Sequence, residues 1–303
     1  MSRVSLEEAV ARLAAGEVVA LPTETVYGLA ADALDPRALA RIYATKGRPA
    51  DHPLILHGVA PGRPGPGALG YGGPDPRADE LARRFWPGPL TLVLLRTAVV
   101  PLVLTGGHDT VAVRAPAHPL FEEVLRRLGR PLAAPSANPF GRVSPTTAGH
   151  VLADWPELPV LDGGECRVGV ESTILDLSGD NPALLRPGGV PVEAIEAVIG
   201  PVVRGGDTAA PGTLPSHYAP RAEVLVVDDV STHVSRLRAA GRRVGVIEAE
   251  PAERYAAHLY QRLRALDAEG VEVIVAAAIP EVGLGVAVMD RLRRAAAARP
   301  TEG

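Results

Sequence analysis

Val18-Val-Ala-Leu21, followed by Pro22-Thr-Glu-Thr-Val-Tyr-Gly-Leu29, is the stretch on which the reading of the chain turns. Four apolar residues predict a buried strand, and they run straight into two hydroxyls, a carboxylate and a tyrosine. Open α/β sheets bind ligands in the crevice outside the carboxyl ends of their strands, so a polar loop there marks a candidate binding edge. Taken alone, the same residues are explained equally well by ordinary turn chemistry.

Upstream, Ser5 with Glu8 forms a capping box that starts a short amphipathic helix. Downstream, Asp35 followed by Pro36 supplies an N-cap and first helical residue for a helix running to about Thr45. Apolar runs predict strands at 53–56, 90–95, 111–113, 132–134, 173–177 and 183–185. Helical patterns at 79–85, 120–128, 146–153 and 192–199 lie among them. Some strands follow one another too closely for parallel crossovers, which predicts a twisted mixed sheet with flanking helices.

Residues 58–76 are rich in Gly and Pro and read as an inert surface insertion. A second break at 200–220 divides the chain into a larger unit (1–200), a linker (201–220) and a smaller unit (221–303). In the last, strands at 224–227, 244–247 and 271–276 are each followed by a helical stretch, at about 231–240, 252–268 and 284–298. That pattern predicts a small Rossmann-like α/β domain with a parallel sheet. No G-x-G-x-x-G follows its first strand, so a dinucleotide site is not supported.

The 303 residues carry 31 Lys plus Arg against 35 Asp plus Glu, a net charge of -4 that gives no whole-chain attraction to nucleic acid. Lys46 is the only lysine, and Gly, Pro, Ala and Arg abound, as GC-rich codons dictate. The one cysteine, Cys166, excludes an intramolecular disulfide and a Cys-rich zinc site. The N-terminus lacks the apolar core of a signal peptide, and the most apolar run, 90–104, is broken by Arg96 and Pro101. The chain reads as a soluble cytoplasmic protein with no membrane partner.

Three further clusters carry chemistry. Lys46-Gly-Arg48 follows a helix, where cations complement the helix dipole and where an exposed loop charge adds little to stability. The same pair can hold adjacent phosphates, although the Gly-rich run and Lys-Ser/Thr pair of a Walker loop are missing. Ser136-Ala-Asn138, extended to Ser144-Pro-Thr-Thr147, can aim a hydroxyl and an amide at one ligand, and one of the later hydroxyls suits a helix cap. Thr110 to Arg114, Glu171-Ser172-Thr173 and Leu185-Arg186 sit at strand ends, and buried arginines there need an anion from the protein or from a ligand.

Together these pieces resemble the YrdC/Sua5 threonylcarbamoyl-AMP synthases. The matching stretches are LPTETVYGLAADA, ATKGRP, PLILHG, FWPGPLTLVL, TVAVRAPAHPL, APSANPFGRVSPTTA, GVESTILD and LLRPGG, in order from residue 21 to 189. PGTLPSHYAP and GLGVAVMDRLRRAA resemble the longer Sua5 type. The resemblance implies that L-threonine, bicarbonate or CO2, and ATP give threonylcarbamoyl-AMP and pyrophosphate, the activated intermediate for t6A at position 37 of tRNA. It also implies Mg2+ with ATP, and tRNA or a downstream threonylcarbamoyl-transferase complex as a partner. Carried over by position, threonine falls to Thr25, His57, Arg114, Ser136 and Ser172. ATP falls to Lys46, Arg48, His52, Thr110, Asn138, Ser144, Arg186 and Tyr218, with Lys46 and Arg48 as catalytic residues and no resident metal ligand.

The sequence departs from the family at His52, Ala210 and Asp290, where Asn, Ser and Asn are more usual. The linker resembles a segment that folds over the active site. Two competing readings are an RNA-binding module of YrdC-like fold, disfavoured by the acidic balance although the Arg-rich tail 291–299 offers a patch, and a carbamoyl transferase of the hydrogenase-maturation type, whose zinc fingers one cysteine cannot supply.

Overall fold

The computed structural model describes residues 2–58, 70–212 and 217–297. Most of the Gly/Pro-rich insertion (59–69), the middle of the linker (213–216) and the end of the Arg-rich tail therefore lie outside the described residues.

Chain order begins β1 (Arg3–Val4), α1 (Leu6–Ala14), β2 (Val19–Leu21), β3 (Gly28–Asp32), α2 (Pro36–Lys46), β4 (Ile55–His57), α3 (Pro76–Phe85), β5 (Leu90–Leu95) and β6 (Thr110–Arg114). It continues α4 (Pro119–Leu128), β7 (Leu132–Ala133), α5 (Ala148–Asp154), β8 (Val160–Leu161), β9 (Thr173–Asp176), β10 (Ala183–Arg186), α6 (Val192–Ile199) and β11 (Val203–Arg204). The smaller unit holds β12 (Glu223–Val227), α7 (Val230–Ala239), β13 (Val244–Ile247), α8 (Ala252–Ala268), β14 (Val273–Ala277) and α9 (Leu284–Ala296).

The first eleven strands form one mixed sheet in the order β1-β8-β2-β3-β7-β4-β6-β5-β9-β10-β11, and the last three form a parallel sheet with β14 in the middle. The expected mixed sheet with flanking helices and the parallel α/β unit are both present. Local signals explain the helix starts. Ser5 and Glu8 make the reciprocal capping box, Asp35 accepts from Arg37 N–H, and Thr147 accepts from His150 N–H.

Several strands depart from expectation. The polar loop was expected to run to Leu29, yet β3 begins at Gly28; its GLAAD sequence is buried at every position, so no polar alternation betrays a strand. Two-residue strands such as β1, β8 and β11 are too short to show a period. At the far end of the insertion Asp75 caps α3, which starts at Pro76, before the expected residue 79.

One apolar core lies under the large sheet, around Leu29, Leu39, Leu56, Leu92 and Val113. Another joins the two units: Val26, Val143 and Val170 of the larger one pack in the same cluster as Tyr218, Tyr255, Leu259 and Leu292. Among the described residues, no helix is long and apolar enough to cross a membrane.

Candidate active site

The polar loop after β2 does open into a cleft lined by side chains from the large sheet's central strands and from the linker. Thr25, Lys46, Arg48, His57, Arg114, Ser136, Asn138, Ser172, Arg186 and Tyr218 all line it. These residues come from β4, β6, β10, the end of α2, the loops after β2 and β7, the segment before β9, and the linker.

Two ends of the cleft differ in charge. At one, Arg114 closes β6 with its Nη2 2.8 Å from Glu24, and both side chains are almost wholly buried. The same Nη2 donates to Thr25 Oγ1 at 3.0 Å, and Nε donates to the Gly88 carbonyl at 3.3 Å. Among the described residues neither Glu24 oxygen accepts a well-aligned hydrogen bond, so the pair is a close charge contact. His57 stands beside Arg114 in register across β4 and β6, its Nδ1 3.1 Å from the Ile55 carbonyl. Burial, and then the Arg114 charge, push its pKa down to about 3, so it is neutral at physiological pH.

At the other end are three buried cations whose partners are carbonyl or hydroxyl oxygens. Lys46 is the last residue of α2, not an exposed loop charge: it is 4% exposed, and its Nζ donates to the carbonyls of Ser136 and, at 2.6 Å, Asn138. The expectation of a solvated lysine fails because the loop after β7 packs over this helix end: Phe140 N–H donates to the Lys46 carbonyl at 2.9 Å, and the Ser136 and Asn138 carbonyls take the ammonium. Arg48 then donates to the carbonyls of His52 (3.3 Å) and Pro53 (2.9 Å). Arg186 donates to the carbonyls of Ser172 (2.8 Å) and Pro211 (2.9 Å), and to Ser172 Oγ at 3.1 Å.

Among the described residues, none of the three has a carboxylate at ion-pair distance. Burial lowers all three pKa values: Lys46 well below its ordinary range, Arg48 to about 10, and Arg186 in the same direction. Arg48 adds its own repulsion to the burial of Lys46.

The linker covers this end. Tyr218 has a positive φ of 61°, a conformation rare outside glycine, and its buried hydroxyl has no hydrogen-bond partner among the described residues. Gly212 passes so close that a Cβ there would stand 2.3 Å from the Tyr218 hydroxyl and 2.9 Å from Arg186 Nη1. His217 packs edge-on against Tyr218, 4.1 Å between ring centroids, and Phe140 lies under the Arg48 guanidinium at 5.5 Å. Ala210, where a Ser is more usual, is buried in an apolar cluster with Ile55 and Ile174.

The remaining sequence candidates stand outside the lining. Ser144 is buried behind it, donating to Glu171 Oε1 at 2.6 Å. Thr110 opens β6 on the face that also carries Arg114, two pleats away. His52 is partly exposed, and its ring packs edge-on against Phe140 at 5.3 Å. The sequence reading gave no role in the site to Glu24, Glu171, Phe140 and His217, which line or flank the cleft. Glu24 and Glu171 had a usable signal, since each immediately precedes a chosen residue, Thr25 or Ser172. Burial raises the Glu171 pKa, but Arg291, Arg186 and the Ser144 hydrogen bond outweigh it and hold the carboxyl at about 2.

Residues 11–188 match a family model named for Sua5, YciO and YrdC and described as telomere recombination; residues 190–297 match one described as the threonylcarbamoyl-AMP synthase C-terminal domain. A threonylcarbamoyl-AMP synthase of Pyrococcus abyssi is 46% identical, covering 98% of this chain and 97% of the relative. One from Bacillus subtilis is 41% identical, covering 97% and 93%. A crystal structure of P. abyssi Sua5 complexed with L-threonine superposes with a TM-score of 0.91 at 44% identity, covering 97% of this chain and 96% of the other.

Proposed function

Since the chain belongs to the Sua5/YciO/YrdC family, in the form that carries a Sua5 C-terminal domain, we propose that its cleft makes L-threonylcarbamoyl-AMP and pyrophosphate from L-threonine, bicarbonate or CO2, and ATP. The chain is thus an adenylate-forming enzyme of the nucleotidyltransferase type, acting in tRNA modification. In this reading residues 1–200 are the catalytic unit, 201–220 the covering linker and 221–303 the smaller domain.

The observation that carries the proposal is the charge asymmetry of one cleft. A buried cation without a carboxylate is costly, and three of them side by side ask for a strongly anionic ligand such as a triphosphate. The Arg114 end, already balanced by Glu24, suits a ligand with no net charge, and zwitterionic threonine is one: its carboxylate faces Arg114, with the hydroxyls of Thr25, Ser136 and Ser172 and neutral His57 around it.

Chemically, the threonine ammonium first gives a proton to solvent, and the free amine then attacks the carbon of CO2 and loses a second proton to solvent to give a carbamate. A carbamate oxygen then attacks the α-phosphorus, the bond from that phosphorus to the bridging oxygen breaks, and pyrophosphate leaves. No protein nucleophile is required. The contribution of the chain is to place the two reactants together, to stabilise the charge that develops on the phosphates through Lys46 and Arg48, and to keep water from a labile carbamate. Asn138, Arg186 and Tyr218 complete the nucleotide end, Ser144 acts from behind the wall, and Thr110 and His52 extend it.

Mg2+ fits this site as part of the substrate. Among the described residues no group of three His, Cys, Asp or Glu side chains can hold a metal ion, and both oxygens of Glu171 already accept hydrogen bonds. Mg2+ therefore enters on the ATP phosphates, as it does in sites with few carboxylates. The product is passed, in the cytoplasm, to tRNA and the transferase complex that modifies it.

Mass detection of threonylcarbamoyl-AMP from purified protein, with serine as the competing amino acid, tests reaction and specificity together. Pyrophosphate release should require threonine, bicarbonate and ATP at once. Release that ignores threonine, or no adenylate at all, overturns the proposal.

A further inference from the structure

We propose that Arg291, carried on α9 of the smaller domain, is a positioning residue for the nucleotide end of the cleft, so that the second domain sets the electrostatics of ATP binding. The inference rests on the reading of that end as an ATP site.

Arg291 is an outlier in its own helix. It is 0% exposed and is the largest fully buried side chain among the described residues, although α9 is otherwise an ordinary amphipathic helix. Its guanidinium reaches across the domain boundary. Nε donates to Glu171 Oε2 at 2.8 Å, and Nη2 donates to the Pro187 carbonyl at 2.9 Å. The guanidinium carbon stands 5.0 Å from the centroid of the Tyr218 ring. Three pieces of the cleft are therefore fastened by one side chain: the wall before β9, the turn after β10 that follows Arg186, and the covering linker. Asp290 contacts the third guanidinium nitrogen, Nη1, so the acidic departure from the usual Asn sits on this cation.

Glu171 is what makes the contact matter for ATP. It is the carboxylate on the cleft wall at the cation-rich end, and its oxygens also accept from Ser144 at 2.6 Å and from Tyr260 of α8 at 2.8 Å. Those two hydroxyls orient the carboxylate but do not neutralise it. Arg291 does. Without that cation a buried negative charge would face the phosphates and offset part of the attraction of Lys46, Arg48 and Arg186. Threonine is spared, because its end of the cleft is set by the separate Glu24–Arg114 pair.

A double-mutant cycle read by calorimetric titration of the full chain with ATP, and separately with threonine, tests this. Arg291→Met should weaken ATP binding by about tenfold or more, with threonine binding within about twofold of wild type. Glu171→Gln added to Arg291→Met should bring ATP binding back to within about threefold. Unchanged ATP binding in Arg291→Met, equal losses for both ligands, or no recovery in the double variant each overturn the inference. Should Arg291→Met not fold, Arg291→Lys, which keeps the charge, and the double variant, which buries no unpaired charge, take its place. Both must then bind ATP within about threefold of wild type, and weaker binding by either overturns it. A wild-type protein that binds no ATP would instead remove the proposed function, and this inference with it.

Discussion

The two ends of the cleft solve the problem of buried arginine and lysine in opposite ways. At the Arg114 end a protein carboxylate, Glu24, supplies the counter-charge 2.8 Å away. At the other, Lys46, Arg48 and Arg186 are held by dipoles alone, six backbone carbonyls and one serine hydroxyl. Carbonyl dipoles orient a cation but leave its full charge to act on whatever enters. The balanced end therefore selects by shape and hydrogen bonding, and the unbalanced end by charge.

The contrast is broken most severely at the balanced end. Arg114→Ala removes the partner of the threonine carboxylate and leaves Glu24 as an uncompensated buried charge. Loss of kcat/KM for threonine should reach about a hundredfold or more, and thermal or denaturant unfolding should show destabilisation of about 3–5 kcal/mol. Glu24→Gln with Arg114→Met should restore much of the stability and none of the activity. Recovery of activity in that pair would show that Arg114 serves the fold and not the substrate.

At the unbalanced end, Lys46→Ala should raise KM for ATP by about 10–100-fold and, because the carbonyls of Ser136 and Asn138 lose their donor, cost about 1–3 kcal/mol of stability as well. Lys46→Arg keeps the charge but needs room and a planar fork where a compact ammonium now fits between two carbonyls. It should remain closer to the alanine variant than to wild type in adenylate formation. Near-normal activity of Lys46→Arg would mean that charge alone, not the ammonium geometry, is what this end requires.

How much of this contrast was legible beforehand follows from the range over which each contact acts. Local signals were readable: the capping residues Ser5 and Asp35, the strand Leu90–Leu95 and the helix Ala252–Ala268 stand where their patterns put them, and of the hydroxyls at 144–147 left open as a cap it is Thr147 that serves. The strand Gly28–Asp32 was not, because small residues buried on both faces have no period. Burial of Lys46 was hidden for a different reason. A cation at a helix end has a sufficient local explanation, and its carbonyl partners lie 90 and 92 residues away. Glu24 and Glu171 were seen only as flanks of hydroxyl residues, since their meaning depends on Arg114 and Arg291, which tertiary contacts alone bring to them.

Titration separates the ends more gently. Burial holds the Lys46 pKa down, whereas a bound triphosphate favours the ammonium, so ATP binding should take up protons at pH values between the two pKa values, and affinity should fall as pH rises through that window. Calorimetry in two buffers of different ionisation enthalpy measures the uptake, and Lys46→Met should abolish it. Stability has the opposite sense. His57 and His217 both drop from 6.5 to about 3 in the folded protein, chiefly through burial. The unfolded chain therefore binds more protons below pH 6.5, and each histidine should remove about 1.4 kcal/mol per pH unit as pH falls from there toward 3. Unfolding free energies at pH 7 and pH 5 check the slope, and it should shrink by about a third in His57→Asn, since burial lowers His150 as well, to about 4.

The smallest effect is expected where the sequence departs from its family, at His52. Arg48 uses the backbone carbonyl of this residue, 3.3 Å from Nε, and any side chain presents that carbonyl. The ring itself contributes an edge contact to Phe140 at 5.3 Å, and it is partly exposed. His52→Asn removes the ring and keeps the carbonyl, so KM for ATP should change by no more than about twofold, the scale of a surface substitution. A tenfold change would place the imidazole on the nucleotide, and a change that grows as pH falls through its lowered pKa would identify its charged form as the species that acts.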